Sequence, residues 1–109
     1  MTSWREDIDS KRRCLGDTSP LTITIDDGRG RWYEDHEKPS TIGPVSYEDE
    51  SVQKLLDRKF DDSFGGEEGY NFTAWSANYV YFPCCYDGSE WVGAIPRNPC
   101  SVAGRHRGG

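Results

Sequence analysis

Val52, Leu55, Leu56 and Phe60 recur at helical spacing, and no other segment constrains the fold of this chain as strongly. At about 100° per residue the four side chains fall in a single stripe, so one face packs and the rest is solvated. Ser46 precedes Tyr47-Glu48-Asp49-Glu50, whose acids suit the positive N-terminal end of a helix dipole. Glu50 and Lys54 form an i,i+4 pair in the favoured order, and Phe64-Gly65-Gly66 closes the segment. The spacing predicts a helix over 47–61.

The flanks read as strands. Leu21-Thr22-Ile23-Thr24-Ile25 alternates strictly, with three apolar residues on one side and two threonines on the other. Asp26-Asp27-Gly28-Arg29-Gly30 is turn chemistry, and Arg31-Trp32-Tyr33-Glu34 is expected to return as a second strand. A polar loop then runs from Asp35 to Pro44. Beyond the Gly65–Gly69 loop, Tyr70–Trp75 and Asn78–Phe82 are aromatic and β-branched, joined tightly at Ser76-Ala77. The second of these continues through Cys84-Cys85-Tyr86 to a hairpin loop at Asp87–Glu90, and Trp91–Ile95 returns. Pro83, which lacks an amide proton, calls for a bulge or an edge position.

The element order is therefore β-β-α-β-β-β. Short connections imply an α+β fold, a small antiparallel sheet of about five strands with one helix packed on one face. Residues 1–18 show no period and are expected to be a mobile arm with at most a short helix. Residues 19–100 form the single domain and 101–109 a flexible, Gly- and Arg-rich tail. Only 34% of the chain is hydrophobic, but 13% is aromatic, so few positions suffice for a core. That core is expected to hold Leu21, Ile23, Ile25, Val52, Leu55, Leu56, Phe60, Phe72, Val80, Phe82, Val92 and Ile95.

Charge is unevenly placed. Residues 26–70 contain 13 acids and six bases, whereas the first 25 residues balance at four against four, so one central segment carries the excess of a chain with net charge −6. Such a balance disfavours direct binding to nucleic acid or to an anionic membrane surface. No stretch is long and apolar enough to span a bilayer, and the charged N-terminus has no apolar signal region, so a cytoplasmic location is expected.

Catalytic and metal signatures are sparse. Cys84 and Cys85 are adjacent, which on a strand points them to opposite faces, and no C-x-x-C or H-x-x-x-H occurs. Zinc or redox pairing with Cys14, Cys100, His36 or His106 is the alternative to small apolar thiols in a reduced protein, which is the expected state; no cofactor or metal is expected. Asp26-Asp27 with Glu34-Asp35-His36-Glu37 lies in polar loops and lacks the pattern of a calcium-binding loop, and a small hydrolase built on Asp35 and His36 ranks last among the readings. Gly93-Ala94-Ile95-Pro96-Arg97-Asn98 resembles the last strand of the Src-homology barrels that bind proline-rich peptides. That resemblance covers six residues, without the family's acidic loop and tryptophan pair upstream, and implies no function here.

Two binding readings remain. In the first, the chain is a non-enzymatic acidic binding protein, an inhibitor or accessory factor that docks on a basic surface of a nucleic-acid-handling protein; phage-encoded inhibitors are often built this way. Its site is the acidic helix side and following loop: Glu48, Glu50, Asp57, Asp61, Asp62, Glu67 and Glu68. In the second, an exposed aromatic sheet face carrying Trp75, Tyr79, Tyr81 and Trp91 assembles the chain with copies of itself or with a larger complex.

Overall fold

In a computed structural model that describes residues 2–29, 40–60, 69–86, 89–97 and 103–104, the chain is an α+β fold. Its elements run α1 (Trp4–Leu15), β1 (Thr22–Arg29), β2 (Thr41–Ser46), α2 (Glu50–Leu56), β3 (Tyr70–Trp75), β4 (Tyr79–Tyr86) and β5 (Ser89–Pro96). The five strands form one antiparallel sheet in the spatial order β2-β1-β3-β4-β5. The expected β-β-α-β-β-β order holds, with one more helix in front of it.

That helix corrects the reading of residues 1–18 as a mobile arm. Ser3 caps α1 by accepting from the Glu6 amide at 3.3 Å, Glu6 and Asp7 occupy the first turn, and Arg12 and Arg13 the last. Gly16 ends it in the left-handed region, donating to the Arg13 carbonyl while the Asp17 amide donates to that of Arg12. Trp4 and Ile8, one turn apart, are both fully buried. The Trp4 indole meets the Phe60 and Phe72 rings edge-on at 4.8 and 5.2 Å and donates from Nε1 to the Tyr70 carbonyl at 2.8 Å. Paired amides and carbonyls between Thr2 and Phe60 then fasten the N-terminus to the chain beyond α2.

The partner of β1 also differs. The proposed return strand Arg31–Glu34 lies outside the described residues, and β1 pairs instead with Thr41–Ser46, where a loop was expected. The register steps from Ile23↔Val45 to Ile25↔Ile42, so β2 carries one extra residue and bulges at Gly43-Pro44, a cis peptide. Gly43 has φ +123°, and a Cβ there would lie 2.5 Å from the Ile23 carbonyl oxygen. A bulge hides the alternation that would mark these residues as a strand.

The helix predicted over 47–61 is shorter, Glu50–Leu56, with Asp49 as N-cap accepting from the Ser51 amide at 3.0 Å. Tyr47 stays outside it because its side chain is buried, its amide donates to the Leu21 carbonyl and its hydroxyl to Asp9 at 2.9 Å. Burial, together with the Asp9 charge, pushes the Tyr47 phenol well above its usual range. Val52 and Leu56 are fully buried, whereas Leu55 packs on the core only partly. α2 lies against β1, and α1 against β5 and α2.

In the C-terminal half the two hairpins fall where expected. Ser76 closes the first, its hydroxyl accepting from the Asn78 and Tyr79 amides, and the register Tyr86↔Ser89 leaves two residues between β4 and β5. Pro83 pairs with Val92 beyond the stretch over which β4 is registered with β3, which gives it the edge-like position its missing amide requires. The faces of β4, however, are opposite to those expected. Tyr79 and Tyr81 point into the core with Phe72, Ala74, Val92 and Ala94, while Val80, Phe82 and Ile95 stand on the other side, Ile95 43% exposed. The rest of the expected core holds, joined by Trp4, Ile8 and Tyr47.

Candidate functional site

Three places in this frame carry chemistry worth weighing. The first is the acidic side. Because α2 ends at Leu56, its expected band of Glu48, Glu50, Asp57 and Asp61 does not lie along one helix: Glu48 precedes it, Asp57 is its C-cap, and Asp61, Asp62, Glu67 and Glu68 lie outside the described residues. Glu48 and Glu50 are exposed. Asp57 pairs with Arg5 of α1 at 3.3 Å, and Lys59 with Glu6 of α1 at 2.7 Å, so α1 sets one base and one acid against this flank. The Lys59 ammonium holds the Glu6 carboxyl below its usual value, and hydrogen bonds from Ser51 do the same for Asp49.

The second is the outer face of the sheet, away from both helices. Cross-strand neighbours place Trp75, Val80 and Ile95 in one row and Cys84 and Trp91 in another. Between the rows Phe82 lies across Gly93, its ring 3.0 Å from where a Cβ would stand. Alternation assigns to this face Asn71, Thr73 and Trp75 of β3, Val80, Phe82, Cys84 and Tyr86 of β4, and Ser89, Trp91, Gly93 and Ile95 of β5. None of these is an acid or a base, but on β1 the same alternation turns Thr22, Thr24 and Asp26 to this side. Trp75 and Trp91 of the aromatic candidates are part-exposed here, but Tyr79 and Tyr81 are not with them. The swap follows from register: Tyr81 sits opposite Ala74 and Ala94, which leaves room for its ring on the inner side.

The third is a polar node that sequence reasoning missed. Asp17, buried just beyond α1, accepts from the hydroxyls of Tyr81 and Ser19 and from the Ser19 amide. Burial alone would raise its carboxyl, yet hydrogen bonds from Tyr81, Ser76 and Ser19 outweigh that and hold it below the usual value. Conversely, burial and the Asp17 charge push the Tyr81 phenol far up. Arg12 donates to the Ser19 carbonyl beside it. These residues edge a shallow groove of about 680 Å³ lined by Asp9, Arg12, Arg13, Gly16, Asp17 and Thr18. The hydrogen bond from the Tyr81 hydroxyl to Asp17 makes a joint between the end of α1 and β4. The signal that marks the joint is Asp17-Thr18-Ser19-Pro20, a run suited to an Asx turn.

Cys14 is exposed on α1, Cys84 is part-exposed and Cys85 exposed, and Cys100, His36 and His106 lie outside the described residues. Asp35 lies outside them too. Among the described residues no group of three His, Cys, Asp or Glu is placed to hold a metal ion, and no helix is long and apolar enough to cross a membrane. No family model matches this chain, and no curated protein or solved structure does either.

Proposed function

We propose that this chain is a non-enzymatic binding protein that meets a basic protein surface with the acidic side beginning at Glu48 and Glu50. The observation that carries this reading is the placement of charge: residues 26–70 hold 13 acids against six bases, and Glu48 and Glu50, within that segment, are exposed. Opposite charge steers encounter and sets orientation over a range that salt shortens. Asp57 has a lesser part because Arg5 already faces it. The consecutive acids Asp61-Asp62 and Glu67-Glu68 extend the same segment in sequence. The reading places the protein in the cytoplasm as an inhibitor or accessory factor of a protein that handles nucleic acid, whose basic surface it occupies.

The test is a rate. A protein retained from extract at low salt is purified, and its association with the wild-type chain and with Glu48→Lys/Glu50→Lys is followed as salt rises. Wild-type association should slow steeply as the Debye length shrinks from about 10 Å at 0.1 M to about 3 Å at 1 M, and the double variant should start slower with a shallower slope. Equal rates for both forms at every salt concentration would refute the acidic docking surface.

A further inference from the structure

We draw no further inference here: the strongest candidate, the apolar outer face of β3, β4 and β5 around Trp75, Phe82 and Trp91, carries none because nothing in the structure shows what covers it.

Discussion

The two faces of the sheet are made of similar residues and are used differently. The inner face carries Ile23, Ile25, Phe72, Tyr79, Tyr81 and Val92 under two helices, all buried. On the outer face Trp75, Val80, Phe82, Trp91 and Ile95 form a surface just as apolar that no described helix covers. The difference is that the inner face also anchors polar chemistry. Asp17 accepts from the Tyr81 hydroxyl of β4, and Asp9 of α1 accepts from that of Tyr47 just beyond β2, so two acids on the helix side each meet a buried tyrosine. Apolarity alone therefore does not say which face is the core; the side with partners for the phenols is.

Four changes would break or sharpen that contrast. The largest effect belongs to Trp4→Ala, which empties the centre of the inner side and removes the bond to the Tyr70 carbonyl. A loss of about 3–5 kcal/mol in urea unfolding is expected, and a loss below about 1 kcal/mol would show that α1 does not belong to the core. At the edge of the same sheet, Gly43→Ala forces a Cβ against the Ile23 carbonyl at φ +123° and should cost about 1–3 kcal/mol, read as a lowered midpoint at unchanged slope.

Tyr81→Phe keeps the ring and deletes one donor to a buried carboxylate, for about 1–2 kcal/mol at neutral pH. It also predicts a pH signature. The folded Asp17 carboxyl lies below its unfolded value, so its contribution is complete above the unfolded value and is lost as pH falls through the folded one. Wild-type stability should thus decline on acidification below about 4, and the variant should decline less over the same window. The two tyrosines act in the opposite sense: with phenols raised in the fold, their contribution is whole below about 10 and lost as pH climbs past it. The smallest effect on monomer stability should come from Trp75→Thr on the outer face, about 1 kcal/mol or less by chemical unfolding at low concentration, since the side chain is already part-exposed. A loss as large as that of Trp4→Ala would mean that the outer face is a second core.

Much of this was legible in the chain itself. Period-two alternation at Leu21–Ile25, the helical stripe at Val52 and Leu56, the tight hairpins and the antiparallel sheet follow from local pattern and turn chemistry, because these act over a few residues. The capping signals of α1, Ser3 with Glu6 at one end and Gly16 at the other, were present too, although only Trp4 and Ile8 marked its buried face, too few to show a period. Of the candidate sites, the exposure of Glu48 and Glu50 could be read from polarity, whereas the pairing of Asp57 with Arg5 required α1 and α2 to be neighbours.

Sequence by itself therefore determined the class of fold and the segment that carries the negative charge. Only tertiary structure decided which side of β4 faces inward. Tyr79-Val80-Tyr81-Phe82 is apolar or aromatic at every position, so alternation is silent and either face can pack. What broke the tie lies far away in the chain: Ala74 and Ala94 make room for the Tyr81 ring, and Asp17, 64 residues distant, accepts its hydroxyl. A phenol is buried where its oxygen finds a partner, and no local pattern records where that partner will be.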